Sequence, residues 1–469
     1  MINNLDKIVS LCKRRGFIYP GSEIYGGLAN SWDYGPLGVE LKNNIKQLWW
    51  KKFVQNRDDI VGIDAALIMN PKVGEASGHL KEFSDPLVEC KKCHSRFRAD
   101  QAFELPPGVT LSEFNAPHKS AVGYTLKLKF IPPEECPNCG GKEFSEAKQF
   151  NLMLKTFLGP AEEKANEVYF RPETAQAMFV NFKNVLDTTR KTLPFGIAQI
   201  GKAFRNEITP GNFIFRTREF EQMEIEYFIR ENEWEKWFRH WQEEIINWIK
   251  ELGIDVKKVH EIEIPDGERA HYSKRTIDFE YEFPFGQKEL YGLAYRTDFD
   301  LRNHFKKLPY RDLNSPTGEN EKFYPHVIEP TWGVDRTVLA VLSDAYHEEE
   351  DPAENGASRI VLKLNPKLAP YKAAVFPLLK NKPELVEKAR EIYQMLKTND
   401  LAVAWDDRGN IGKRYYSQDE IGTPFCVTID FQTLEDDAVT VRDRDTMKQE
   451  RIKIENLIYY ITSAIAESM

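Results

Sequence analysis

At 469 residues the chain is long enough for two or three domains, and its 41% hydrophobic content supplies sizeable cores. A formal net charge of −9 excludes a generally basic nucleic-acid binder, so any nucleic-acid partner has to meet local basic patches. No apolar run reaches membrane-span length, no signal peptide opens the chain, and the six cysteines fall mostly into two CxxC pairs, which points to a reducing compartment, the cytoplasm.

In chain order, Leu5 to Arg15 reads as a short helix, followed by a Gly/Tyr/Trp-rich turn region. Pro36 opens the next helix at a position where its missing N–H costs nothing. Leu37, Leu41, Ile45, Leu48, Trp49 and Phe53 give that helix one wide apolar stripe. The stripe serves either core packing or, with the double Trp49-Trp50, a dimer surface. Cys90/Cys93 and Cys136/Cys139 can together complete a tetrahedral four-sulfur zinc shell, structural because no position stays open. Residues 94–135 exceed an ordinary zinc-ribbon gap and predict a small excursion; two pairs of unliganded thiols are the alternative.

The segment FRPETAQAMFVNF, from Phe170, reads as a strand running into a helix. Glu173 there is either a carboxylate at a helix start or the holder of a substrate cation. Phe195 to Phe228 reads as two strands joined by a loop at Thr209-Pro210-Gly211-Asn212. Alternation puts Gln199, Gly201, Ala203, Arg205 and Glu207 on one face of the first strand and Phe220, Gln222 and Glu224 together on the second. Met223, Ile225, Tyr227 and Ile229 face a core. Arginines, carboxylates and an aromatic ring on one surface, with Arg216 and Arg218 on the return, suit a nucleoside polyphosphate beside an amine; a solvated strand face is the competing reading.

A Trp-rich amphipathic helix spans about Glu231 to Leu252 and reads as core packing. KELYGLAYRTDFDL, from Lys288, reads as a strand with a dense polar set of Glu289, Arg296 and Asp298, and HFKKLPYRD as a basic loop. His326 to Glu329 reads as a strand, Pro330 to Gly333 as a turn, and Val334 as the start of an apolar helix. Arg336 in its first turn opposes the helix dipole, which fits an anion docked at that N-terminus or an ion pair with Asp335. From about Leu368 strands and helices alternate, predicting an independent α/β domain. Within it Lys413, Arg414, Tyr415 and Tyr416 suit unstacked RNA bases or a solvated helix start.

Three separated pieces, WDYGPLGVELKNN, the pair FRNE and FRTREFEQMEIEYF, and EPTWGVDR, resemble motifs 1, 2 and 3 of class II aminoacyl-tRNA synthetases. RPETAQ, REFEQME and DEIGTPFCVTID are similar to the dimeric, single-chain glycyl-tRNA synthetase family. The resemblance covers nearly the whole chain. It implies an α+β architecture: a class II catalytic domain over 1–365, its antiparallel sheet flanked by helices, into which the two CxxC pairs place a zinc-knuckle-like insertion over 86–150. A C-terminal α/β anticodon-binding domain over 366–469 follows.

The resemblance also implies a homodimer built on motif 1, ATP, glycine and tRNA(Gly) as partners, and Mg²⁺ at the ATP; structural Zn²⁺ on Cys90, Cys93, Cys136 and Cys139 rests on the cysteine spacing itself. It implies formation of glycyl-adenylate, then transfer of glycine to the terminal adenosine of the tRNA. Arg205, Arg336 and Glu289 then stand as the catalytic set, on the α-phosphate, the γ-phosphate and magnesium respectively. The ATP site would comprise Arg205, Asn206, Glu207, Phe215, Arg216, Thr217, Arg218, Glu219, Phe220, Glu289, Leu290, Gly333, Val334, Asp335 and Arg336. Glu207 would meet the adenine amino group and Phe220 stack on its ring. The glycine site would comprise Arg98, Glu173, Phe220, Glu221, Gln222, Met223, Glu224, Arg296, Glu329, Pro330, Thr331, Trp332 and Gly333, with Glu173, Glu224 and Glu329 around the ammonium. Trp332 is bulkier than the family pattern carries at its place, which bears on the geometry of that pocket. Glycine offers no side chain to grip, so larger amino acids are excluded by filled space, at about 1–3 kcal/mol for added bulk.

Overall fold

In the computed structural model, residues 4–98, 135–312, 321–350 and 358–468 are described. Most of the expected excursion between the two CxxC pairs therefore lies outside the described residues. In the first part α1 spans Asn4–Arg15, α2 Pro36–Trp50, β1 Ile60–Gly62, α3 Ala175–Thr189, β2 Phe195–Phe204, β3 Glu219–Ile229, α4 Trp234–Glu251, β4 Val259–Glu263, β5 Arg275–Phe283, β6 Gly286–Thr297, α5 Phe299–His304, β7 His326–Gly333 and α6 Val334–Ala345. The strands form one seven-stranded sheet in the order β4-β5-β6-β7-β3-β2-β1, antiparallel except for the parallel β1–β2 edge.

Side-chain alternation gives this sheet two unequal faces. One is wholly covered: Met223, Ile225, Tyr227, Ile328 and Trp332 join Leu41, Ile45, Trp49 and Phe53 of the α2 region, Trp241 and Trp248 of α4, and Val338 and Leu342 of α6 in one core. The other face is covered only at one end, where Phe195, Ile197, Phe228 and Val327 pack on Phe179 and Phe182 of α3. The uncovered end of that face forms the floor of a cavity.

One alternative is settled and one expectation corrected. Trp49 is fully buried against Trp332 and Phe53, ring centroids 5.4 and 5.5 Å away, so it is core, while Trp50 packs towards Gly62 and stays partly exposed. Pro330 to Gly333 is no turn: β7 runs straight from His326 into α6. A proline is tolerated in this central strand because the β3–β7 ladder skips the pairs between Glu224↔Thr331 and Tyr227↔Ile328, where Pro330 has no N–H to give.

From residue 373 a second sheet begins: β8 Ala373–Pro377, α7 Pro383–Thr398, β9 Val403–Trp405, α8 Ile411–Asp419, β10 Phe425–Ile429, β11 Ala438–Asp443, β12 Gln449–Lys453 and α9 Leu457–Glu467. Its order is β9-β8-β10-β11-β12, parallel through β10 and antiparallel after it. It has its own core on α7 and α9. Arg414 and Tyr415 are not free for bases: Arg414 is buried and donates to the carbonyls of Pro377, Arg408, Asp407 and Gly409, while the Tyr415 hydroxyl pairs with Thr428.

Candidate active site

The cavity has a volume of about 500 Å³ and is floored by Gln222 and Glu224 of β3, Thr331 and Gly333 of β7, Gly292 of β6 and Asp278 of β5. Its walls come from chain segments that leave the sheet. Arg205 lies one residue past β2, Arg216 and Phe220 return from the loop, Arg336 starts α6, and Glu173 stands just before α3. Arg205 and Glu207, expected on the strand face, thus sit beyond its end; the connection spans residues 205–218 and not the four-residue loop alone.

One end of the cavity is acidic. Glu224 accepts from the hydroxyls of Thr331 (2.9 Å) and Thr174. Glu173 is no helix cap, since Thr174 occupies the N-cap position; its carboxylate accepts from Gln176 Nε2 (3.0 Å) and lies 3.4 Å from His79 Nε2. Arg296 is fully buried, donating Nε and Nη2 to Asp300 (2.8 and 2.9 Å) and Nη1 to Glu329 (2.5 Å), with Tyr272 stacked 3.7 Å from its guanidinium. Burial would raise the Glu173 carboxyl, but the charges of His79 and Arg296 outweigh it and hold it well below the usual range. Burial, with Glu173 next, pushes Glu224 upward. A preformed set of carboxylates at a cavity wall is suited to an ammonium group.

The other end is cationic. Arg205 donates Nε to Pro172 O (3.0 Å) and is clamped between the rings of Phe83 and Phe220 at 5.3 and 5.2 Å. Arg336 lies over Phe215 and pairs with Glu289 at 2.9 Å, not with Asp335. Asp335 instead accepts from Tyr34, Lys42 and the backbone N–H of Glu221. Arg98 pairs with Asp85 (2.9 Å), and its charge reaches Arg216. Glu207 Oε2 and Gln222 Oε1 are buried here without a hydrogen-bond partner among the described residues. Burial, then Glu289 and Glu280, lifts Asp278 to about 7. Glu289, exposed to the cavity beside Asp278, offers a carboxylate that fits a divalent cation.

The side chains of several expected site residues point elsewhere. Trp332, Met223 and Val334 are in the core behind the sheet, Leu290 belongs to that core while still bordering the cavity, and Pro330 shares the Trp332 side of β7, so Trp332 does not crowd the pocket. Glu221 turns to Lys42 and Lys46, Glu219 pairs with Lys202 on the surface, and Arg218 reaches Ala29 O (3.3 Å). Thr217, which borders the cavity, donates its hydroxyl to Glu219 O, and the Asn206 backbone N–H donates to Leu152 O. Asp298 pairs outward with Arg302. Sequence reasoning missed Asp300, His79, Thr174, Gln176 and Asp278. The i,i+4 spacing from Arg296 to Asp300 was the one readable signal among them.

Cys90, Cys93, Cys136 and Cys139 converge, with Sγ–Sγ separations of 3.7 Å for Cys90–Cys139 and for Cys93–Cys136. Four thiolates about 2.3 Å from a zinc ion would be about 3.8 Å apart, so the residues fit that metal. A Cβ on Gly141 would stand 3.2 Å from Cys90 Sγ, which is why glycine follows the second pair.

The class II tRNA synthetase core domain for G, H, P, S and T matches residues 156–345, and an anticodon binding domain matches 372–464. A glycine--tRNA ligase of Alkaliphilus oremlandii is 53% identical over 467 residues, 98% of each chain. That of Clostridium acetobutylicum is 53% identical over 472 residues, again 98% of each. That of Geobacillus thermodenitrificans is 52% identical over 474 residues, 99% of this chain and 98% of the other. At that likeness along its whole length, this chain belongs to the glycine--tRNA ligase family of class II aminoacyl-tRNA synthetases.

Proposed function

We propose that this chain ligates glycine to its tRNA in two steps, with residues 1–365 as the catalytic domain and 366–469 binding the anticodon. In the first step a glycine carboxylate oxygen attacks the α-phosphorus of ATP, and the bond to pyrophosphate breaks. In the second a hydroxyl of the terminal adenosine attacks the glycyl carbonyl and AMP leaves. Neither step needs a protein nucleophile; both need reactants held in line and phosphate charge neutralised.

The observation that carries this reading is one cavity with carboxylates at one end and arginines at the other, small enough between them to place an amino acid against a nucleotide phosphate. Glu224, Glu173 and Glu329 take the ammonium, with Thr331 fixing Glu224. Arg205 takes the α-phosphate and the glycine carboxylate, Arg216 and Arg336 the outer phosphates. Phe220 supplies a stacking face, and the unpartnered Glu207 oxygen an acceptor for the adenine amino group. Arg98 and Arg296 act at the glycine end, Arg296 by orienting Glu329. Mg²⁺ would be held by Glu289 and would neutralise phosphate charge. Zinc on the four cysteines would be structural. A homodimer built on α2 and the preceding segment is supported by Ile24, Tyr25 and Leu28, which are 86, 87 and 67% exposed. None of the six cysteines forms a disulfide, which suits the cytoplasm. No described helix is long and apolar enough to cross a membrane.

ATP–pyrophosphate exchange with each amino acid in turn, without tRNA, tests the reading. Exchange with glycine alone is expected. Exchange with alanine or serine overturns the pocket assignment, and none with any amino acid overturns the activity.

A further inference from the structure

Behind the acidic end of the cavity lies a carboxyl group with no role so far. Glu226 follows Glu224 by two residues on β3, on the same face, but is fully buried and does not line the cavity. No N–H or O–H group among the described residues donates to either of its oxygens. One oxygen each from Glu224, Glu226 and Glu329 lies within 4.8 Å of the other two. The charged groups facing Glu226 are Glu224 on its own strand, Glu329 on β7, Arg296 on β6 and Asp300 on α5, with Glu173 beside Arg296.

The local charges do not balance if every carboxyl is ionised. Arg296 is the guanidinium in contact with the group, and its nitrogens already serve Asp300 and Glu329; the buried Arg171, whose charge also reaches Glu224, donates instead to the carbonyls of Lys202 and Ala65. His79 reaches only Glu173 within the cluster. Carboxyl groups this close in a dry interior retain a proton between them. Glu329 holds a guanidinium and Glu224 two hydroxyls, which stabilise their charged forms. Glu226 holds nothing, so the proton belongs there.

We propose that Glu226 is a positioning residue, a neutral carboxyl that donates its proton in a hydrogen bond to Glu329 and so fixes that carboxylate for the glycine ammonium. This rests on the glycine-site reading above. Burial pushes both the Glu226 and the Glu329 carboxyls well above the usual range; of the two, only Glu329 has a guanidinium to hold its charge. A third ionised glutamate behind the cage would repel Glu329 and Glu224 and leave their orientation loose. The neutral acid links Glu329 to the sheet from behind while Arg296 holds it from the side.

The test compares E226Q and E226L with the unaltered full-length protein. Glycine-dependent pyrophosphate exchange, infrared difference spectra at neutral pH and thermal melting are measured for each. A donated hydrogen bond to a charged partner is worth roughly tenfold or more. E226L is therefore expected to raise the KM for glycine by about that factor with the KM for ATP little changed, and E226Q, whose amide donates in the acid's place, to recover most of it. The infrared spectrum should hold a protonated-carboxyl band that E226Q removes; that reading does not depend on E226L folding. Absence of that band, a glycine KM untouched by E226L in folded protein, or E226Q failing as E226L does would each overturn the proposal. E224Q serves as the control. If it too leaves the glycine KM unchanged, the glycine-site reading falls and this role falls with it. If E224Q raises the KM and E226L does not, only the role of Glu226 is refuted.

Discussion

Replacing Arg205 with Gln separates chemistry from folding. In the resting protein its Nε donates to Pro172 O at 3.0 Å and its guanidinium stacks on Phe83 and Phe220 at 5.3 and 5.2 Å. Cation–π contacts at partly exposed sites are worth about 0.5–1 kcal/mol each, and glutamine keeps an amide donor for Pro172. The expected stability loss is thus about 1–2 kcal/mol. An arginine that takes up charge on a reacting phosphoryl group is worth roughly 10³–10⁵ in rate, or about 4–7 kcal/mol. R205Q should therefore lose at least about a thousandfold in glycine-dependent pyrophosphate exchange while its melting temperature falls by only a few degrees. R205K, which keeps the charge and loses the fork, should fall between. Exchange in R205Q within about tenfold of the unaltered protein, or a loss matched by unfolding, would refute the assignment.

Trp49→Ala should cost about 3–5 kcal/mol by opening a cavity against Trp332 and Phe53, read as a lower melting temperature; a change confined to oligomeric state would contradict the core placement. Metal analysis should find about one zinc per chain, lost in C136S together with hydrogen-exchange protection of residues 84–98; metal-free, fully protected protein would remove zinc from the account. Burial would raise Glu221, but Lys42 and Lys46 outweigh it and hold its carboxyl low. Its contribution is then fully present above the unfolded value of about 4.3 and is lost as the pH falls through the folded value. E221Q should accordingly melt below the unaltered protein at neutral pH, with the gap closing in acid; a gap independent of pH would sink this electrostatic reading.

Much of the frame was legible because burial imposes a period. The stripe from Leu37 to Phe53 and the alternation in β3 both identify their core faces correctly. Alternation also reaches Glu226, two steps from Gln222, yet says nothing of its isolation, which depends on α3 and α5 closing over that end of the sheet. The turn expected at Pro330 failed because proline's missing N–H is a local signal, while the skipped ladder positions that absorb it belong to a strand some hundred residues earlier. With the strand taken through, Glu329, Thr331 and Gly333 share the cavity face and Trp332 the core. Arg414 looks like an RNA contact only until the turn at residues 407–409 folds back on it and Pro377, 37 residues away at the end of β8, accepts its third donor.

The Asp335 carboxylate joins partners that are far apart along the chain: Tyr34 is 301 residues away, Lys42 293 and the Glu221 amide 114. Such separations make closure of this node slow relative to local helix formation. They also set a timetable on the ribosome. A chain emerging from its N-terminus can build α2 and the β2–β3 pair early, but Lys42 and Tyr34 wait without their carboxylate until β7 and the start of α6 appear, the same stretch that delivers Glu329, Thr331 and Arg336. A fragment released before residue 335 therefore carries most of the cavity wall but neither the cation at the head of α6 nor the carboxylate that ties α2 to β3, so its site stays open on the phosphate side.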